Sequence, residues 1–166
     1  MLAAVAVALA IAPWSHPLEF GHLSGWQTGR SGNTRSAYVG PGPRARVPLE
    51  SAAWLATGTR YRDDPTADPP NLTLKHLSRR AVIVWAVIYS PTAIGDMPIR
   101  LTLSAARRLL CCEGERVAGG NWELSGAGPR RAYSMIVRIY FGSRPTKAMQ
   151  AQAQRALDAL RLPPAR

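Results

Sequence analysis

Two adjacent cysteines, Cys111 and Cys112, are the residues of this 166-residue chain whose type and spacing are most suited to chemistry. In an oxidising compartment, neighbouring thiols can close a vicinal disulfide. That ring is strained, because adjacent Cα atoms lie about 3.8 Å apart whereas ordinary bridges span about 4.4–6.8 Å. Arg107, Arg108 and Arg116 are close in sequence and would stabilise an exposed thiolate. A reactive thiol, a vicinal bridge, an intermolecular bridge and two plain structural residues all stay open at this point.

A metal centre is the second chemistry that the sequence raises, at His16, Glu19 and His22. Zinc needs three or four converging ligands. Pro17 and Gly21 exclude a helix over this stretch, and on a strand the glutamate would face away from both histidines. We therefore predict no metal site.

Patterns of nucleophilic and phosphate-binding enzymes are missing from the sequence. It contains no Gly-x-Ser-x-Gly elbow, no His-Glu-x-x-His and no phosphate loop ending in Gly-Lys-Ser/Thr. We predict a protein that is not an enzyme, with no catalytic residue and no cofactor. A thiol-dependent enzyme that uses Cys111 or Cys112 is the lesser alternative.

The charge is strongly basic, with a formal net charge of +11 carried by 19 arginines and 2 lysines. Arginine binds phosphate and carboxylate groups through two parallel hydrogen bonds. The arginines are dispersed along the chain, however, whereas a dedicated nucleic-acid surface clusters them with stacking aromatic side chains. We expect a non-specific attraction to polyanions. Binding of nucleic acid or anionic lipid as the selected function is the main alternative to the function predicted below.

Residues 1–12, MLAAVAVALAIA, are apolar throughout and resemble the central region of a secretory signal peptide. A helix of this length would span about 18 Å, too little for a hydrocarbon core of about 30 Å. Ala8-Leu9-Ala10 and Ala10-Ile11-Ala12 offer the small-x-small pattern of a cleavage site, although no basic residue precedes the run and cleavage after Ala12 would leave Pro13 first. A core segment and a misplaced start codon are the other interpretations. The length of the remainder predicts one domain, residues 13–166, without a stable membrane span.

Four segments have the pattern of strands that must position any site. Ala81–Tyr89 is uniformly apolar, which predicts a central strand covered on both faces. Tyr133–Phe141 alternates between an apolar face and a mixed face. Shorter alternations at Ile99–Leu103 and Trp122–Leu124 predict two more strands, and a Gly-rich break at Gly126–Pro129 predicts a hairpin between the last of these and Tyr133–Phe141.

The period of the pattern changes to that of a helix from Thr146 to about Leu160. The apolar residues of this segment form one stripe at helical spacing and its polar residues form the opposite face.

Phe20–Gln27 is predicted to be a short strand. Because the helix stripe and the sheet face must both be buried, the fold class is α+β: an antiparallel β-sheet with a C-terminal amphipathic helix packed on one face, as in an α/β/α sandwich.

This layout resembles the PsbP-like/Mog1 family of α/β/α sandwich proteins and is similar to small exported bacterial proteins. The residues that carry the resemblance are Phe20, the pair Gly25-Trp26, and the closing motifs Tyr140-Phe141-Gly142 and Leu160-Arg161-Leu162. The family has no shared catalytic set, and its members act as binding or assembly factors. The basic charge and the cysteine pair of this chain depart from that pattern.

The function predicted from the sequence is that of a secreted or cell-envelope bacterial protein that acts as a non-catalytic binding or assembly module. Its partner, a protein or a small ligand, would occupy an exposed sheet face or a groove between sheet and helix. The residues predicted to contact that partner are Trp26, Trp54, Arg107 and Arg108, with Trp14 and Trp122 as further aromatic anchors.

Overall fold

A computed structural model provides the structure of the protein. It describes residues 18–29, 37–38, 46–47, 49–61, 71–89, 95–109, 117–128, 130 and 133–162. The elements in chain order are β1 (Glu19–Phe20), β2 (Gln27–Gly29), β3 (Ala37–Tyr38), β4 (Arg46–Val47), β5 (Leu49–Thr57), α1 (Asn71–Leu74), β6 (Val82–Tyr89), a 3₁₀ helix (Leu103–Ala105), β7 (Arg107–Leu109), β8 (Asn121–Ala127), β9 (Ser134–Phe141), α2 (Lys147–Asp158) and β10 (Leu160–Arg161). Residues 1–12 and the cysteines Cys111 and Cys112 lie outside the described residues.

Six antiparallel strands form the main sheet, in the order β2–β5–β6–β9–β8–β7. The pairs β1–β10 and β3–β4 form two small two-stranded sheets. With the C-terminal helix α2, this is the predicted α+β fold. Strand β6 lies inside the sheet, and its described side chains, Val82 to Ile88, are all buried. The prediction of a central strand covered on both faces is therefore confirmed.

Strand β9 has the two faces that its alternation predicts. Met135, Val137 and Ile139 are fully buried in the core under α2, while Ile136 and Arg138 on the opposite face are partly exposed. The hairpin that joins β8 to β9 is also confirmed, because the two strands pair from Asn121 opposite Tyr140 to Ala127 opposite Ser134.

The C-terminal helix begins at Lys147, next to the predicted start at Thr146. The side-chain oxygen of Thr146 accepts a hydrogen bond from the Met149 backbone N–H at 3.2 Å, which satisfies one donor of the first turn. Its buried stripe is Met149, Ala153, Ala156 and Leu157, as the spacing predicts. Among the described residues, no helix is long and apolar enough to cross a membrane.

A second cluster of buried side chains covers the face of the sheet opposite α2. Trp54 stacks on Tyr61, with ring centroids 3.8 Å apart and planes 7° from parallel. Trp85 and Leu74 pack in the same cluster. Both faces of the central strands are thus shielded from solvent, as a strand with only apolar side chains requires.

Two predicted strands are wrong. The segment from Ile99 to Leu103 is not a strand, because its backbone groups are taken up by side chains and a 3₁₀ turn. The Thr102 hydroxyl accepts from the Ala105 N–H at 3.3 Å, and Ile99 is fully exposed. The strand in this region is β7, which begins at Arg107.

The predicted strand Phe20–Gln27 is split into β1 and β2, which belong to different sheets. The break lies at Gly25, whose φ of 78° is the left-handed conformation that glycine adopts without strain. A positive φ at this point turns the chain and ends the extended conformation.

Close backbone approach at one end of the sheet requires glycine at position 142. A Cβ there would overlap the carbonyl oxygen of Ser78, and the Gly142 N–H donates to Ala81 O at 3.0 Å. The neighbouring Ser143 hydroxyl donates to Arg79 O at 2.7 Å. The turn before β6 is thereby attached to the end of β9.

We expect Gly142→Ala to lower the free energy of unfolding by about 2–4 kcal/mol, because the methyl group has to displace backbone atoms. Gly95→Ala is the control, since a Cβ there meets nothing within 4 Å and should change stability by less than about 0.5 kcal/mol. Urea unfolding of the two variants measures both values. Equal midpoints would contradict the close approach.

Candidate functional site

A groove of about 420 Å³ lies between α2, the 3₁₀ helix and the sheet. Its lining residues are Leu103, Ser104, Trp122, Phe141, Pro145, Gln150 and Gln154. They offer aromatic contact, amide groups and one hydroxyl. This is the kind of lining that holds a ligand by shape and hydrogen bonding.

The floor of the groove is aromatic. Trp122 of β8 and Phe141 of β9 meet edge to face, with ring centroids 5.0 Å apart and planes at 89°. Phe141 is fully buried, whereas Trp122 is only partly buried and presents indole surface to the groove.

A guanidinium group lies over the Trp122 ring. The Arg108 Cζ is 5.7 Å from the ring centroid, within the range of a cation–π contact. Register explains the contact, because Arg108 of β7 pairs with Trp122 of β8 and paired residues of antiparallel strands share a face. Gly120 leaves room for the contact: its φ is 85°, and a Cβ there would come within 3.4 Å of Arg108 Nε and of the Trp122 ring.

One wall of the groove is held in place by Gln154 of α2. Its Oε1 accepts from the Leu103 N–H at 3.0 Å, and its Nε2 donates to Leu101 O at 3.1 Å and to Asp158 Oδ1 at 2.9 Å. The Gln154 side chain thus makes the hydrogen bonds that a neighbouring strand would otherwise make to the backbone of residues 101–103. Gln150, one turn earlier, is exposed, and its Nε2 makes only a long 3.4 Å bond to Pro145 O.

The two arginines predicted to contact a partner are separated by the strand that carries them. Arg107 pairs with Glu123 and therefore lies on the sheet face opposite the groove. Glu123 there accepts from Arg138 Nε at 3.0 Å, with both side chains 20% exposed. Of the two, only Arg108 is beside the groove.

The two predicted tryptophan contacts lie elsewhere. Trp26 is partly buried against the main core. Trp54 covers the opposite face, and its ring lies so close to Gly29 that a Cβ on that residue would be 2.7 Å from the ring. Trp122, the further anchor, does line the groove. Sequence reasoning placed Gln150 and Gln154 on the outer face of α2 and so missed their part in the groove.

The other sequence candidates do not converge on a site. Glu19 forms an ion pair with Arg161 at 3.2 Å, and His22 is exposed. Across the described ranges, no group of three or more His, Cys, Asp and Glu side chains could hold a metal ion. His16, Cys111 and Cys112 lie outside those ranges.

Comparison with protein-family models gives no match to this chain. Searches of curated proteins and of solved structures give no match either. The resemblance to the PsbP-like/Mog1 family stays a prediction.

We expect Gln154→Ala to lower the free energy of unfolding by about 1–2 kcal/mol, because two backbone groups of the groove wall lose their partner. The Leu103 amide should also exchange with solvent faster. Gln150→Ala, on the same helix, should change stability by less than about 0.5 kcal/mol. If hydrogen exchange at Leu103 is the same in both variants, Gln154 does not hold the wall.

Proposed function

We propose that the protein is a non-catalytic binding module of the bacterial cell envelope, whose groove between α2 and the sheet holds an extended acidic segment of a partner protein. The observation that carries the proposal is the partly exposed Trp122 ring at the groove floor with the Arg108 guanidinium over it. Tryptophan and arginine are the side chains that dominate binding energy at protein interfaces.

The charge around the groove favours an anionic partner. Arg108 is exposed on one side, and Arg144 and Lys147 are exposed next to Pro145 on the other. Asp158, an acidic side chain beside the groove wall, already accepts a hydrogen bond from Gln154. A segment with carboxylates therefore gains favourable electrostatic interactions along both rims.

The lining favours an apolar side chain at the centre of that segment. Trp122, which packs on the buried Phe141 ring, provides an aromatic surface that can exclude water, and Gln150 and Ser104 provide exposed hydrogen-bonding groups at the edge. An apolar anchor within a polar rim is the usual anatomy of a protein–protein contact. The partner segment would thus have one apolar residue flanked by acidic residues.

The probe for this proposal is a ten-residue peptide with a central leucine flanked by glutamates, titrated into the full chain. We expect saturable one-to-one binding that shifts the Trp122 indole N–H signal in the NMR spectrum. Arg108→Gln should weaken the affinity about tenfold, because a charge-assisted contact is lost. Lys75→Gln, which removes one positive charge near α1 on the opposite face, is the matched control and should bind like the unaltered chain.

A peptide with lysine in place of glutamate should not bind. The proposal fails if both peptides bind alike, or if Arg108→Gln and Lys75→Gln give the same affinity. Such results would show attraction to net charge alone.

Polyanion binding is the second candidate, and a specific observation favours it. Exposed basic side chains occur on many parts of the described structure, including Arg60, Arg79, Arg80, Arg100 and Arg155. We expect affinity for single-stranded DNA or anionic vesicles to fall by orders of magnitude between low and high salt if this is the function. Binding of the acidic peptide through one arginine predicts a much shallower salt dependence.

Export is proposed from residues 1–12. Expressed at full length in a bacterial host, the chain should be recovered from the envelope fraction with Ile11 or Pro13 as its first residue, since the small-x-small patterns end at Ala10 and Ala12. Intact-mass spectrometry identifies that residue. Recovery of the uncleaved chain from the cytoplasmic fraction would contradict export.

A further inference from the structure

Several chain connections meet at one end of the main sheet. Strands β5 and β9 end there, and β6 and β8 begin there. Thr57 of β5 pairs with Val82 of β6, which pairs in turn with Phe141 of β9. Because neighbouring strands lie about 4.8 Å apart, the connections after β5, before β6 and after β9 leave the sheet within about 10 Å of one another. The side chains on these connections therefore belong to one surface.

Positive charge is concentrated on this surface. The exposed basic side chains are Arg60 after β5, Arg79 and Arg80 before β6, and Arg144 and Lys147 after β9. Residues 58–61, 75–81, 117–120 and 142–147, which make up the described part of this end, include no acidic residue. None of the five basic side chains forms an ion pair with another described residue. Their charges are thus left for an external anion.

Main-chain contacts hold the two central arginines in place. The Ser143 hydroxyl donates to Arg79 O at 2.7 Å, and a Cβ on Gly58 would lie 2.8 Å from Arg80 O. The Ser78 hydroxyl donates to Gly58 O. The backbone of Arg79 and Arg80 is therefore fixed between the β5 and β9 connections, while both side chains stay exposed. An anion that binds them does not have to order this part of the chain first.

The start of α2 adds to the unfavourable positive field at this end. Lys147 is the first residue of the helix, and no acidic residue occurs in the first turn. A helix N-terminus carries a partial positive charge and is stabilised by anions, so a lysine in this position opposes the helix dipole. Local choices that disfavour the folded state are expected at functional sites. A bound anion would relieve this repulsion.

The aromatic residues at this end disfavour nucleic acid as the source of the anion. Binding of single strands relies on exposed aromatic rings that stack on the bases. Tyr61 and Phe141 are buried, and the partly exposed Trp122 faces the groove with Arg108 over its ring. A lipid bilayer presents phosphate groups and requires no stacking, and clustered basic residues are the usual means of binding anionic lipids.

We propose that this end of the sheet binds the phosphate groups of an anionic lipid bilayer. Arg79 and Arg80 lie between Arg60 and Arg144 and form its centre. The surface is independent of the peptide groove, because Arg108 takes no part in it. It narrows the second candidate function to particular arginines, since net charge alone would not distinguish them from the other basic residues.

The experiment is co-sedimentation of the full chain with vesicles of equal parts phosphatidylglycerol and phosphatidylcholine. A salt concentration of about 0.15 M gives a Debye length of about 8 Å, which screens distant charges. We expect Arg79→Gln/Arg80→Gln to lower the affinity at least about tenfold, because each basic residue near an anionic surface contributes a factor of about five. Arg100→Gln/Arg155→Gln removes the same two charges from exposed positions elsewhere and should change the affinity less than about twofold.

Urea unfolding separates a lost binding surface from a lost fold. The midpoint of Arg79→Gln/Arg80→Gln should equal or exceed that of the unaltered chain, because the main-chain contacts remain and charge repulsion falls. This variant should still bind the acidic leucine peptide, and Arg108→Gln should still bind vesicles.

Three results would overturn the proposal. The first is an equal vesicle affinity of the two double variants, which would show attraction to net charge. The second is equal binding to vesicles of phosphatidylcholine alone. The third is tighter binding to double-stranded DNA than to the anionic vesicles at the same phosphate concentration, which would assign the surface to nucleic acid.

Discussion

The strand β6 has to be covered on both faces, because every described side chain along it is apolar and buried. Helix α2 covers one face and the Trp54–Tyr61 stack with Leu74 covers the other. Helix α2 contacts β6 and the 3₁₀ helix. The groove with Trp122 lies between these two helices and the sheet.

Cross-strand register determines what the opposite face presents. One row of paired residues runs across six strands, and its members are Gly29, Trp54, Trp85, Arg138, Glu123 and Arg107. The row is aromatic over the inner strands and charged toward β7. Charges on an edge strand oppose pairing with another sheet. Since neighbouring residues of a strand face opposite ways, the same edge provides Arg107 to this row and Arg108 to the groove.

Much of the fold could be predicted from the sequence, because the spacing of the apolar residues indicates which side chains face the core. The buried β6, the two faces of β9 and the stripe of α2 follow from it directly. Ile99–Leu103 could not be predicted in this way, since a distant amide, that of Gln154, satisfies its backbone. The local sequence around Gln154 places it on the polar face of a helix and does not indicate its hydrogen bond to Leu103, which is 51 residues away.

The same limit applies to the sites. Arg108 and Trp122 are conspicuous residue types, but their contact depends on the register between β7 and β8, which sequence alone does not specify. A second cavity, lined in part by Met97 and Ala127 at the end of β8, depends on Gly126, whose missing side chain admits the 95–97 segment. Gly119, just before β8, and Gly126, near its end, let another part of the backbone approach the chain at these two points. One seven-residue strand thus borders a cavity at each end, the groove at Trp122 and the second cavity at Ala127, because different parts of the chain pack against its two ends.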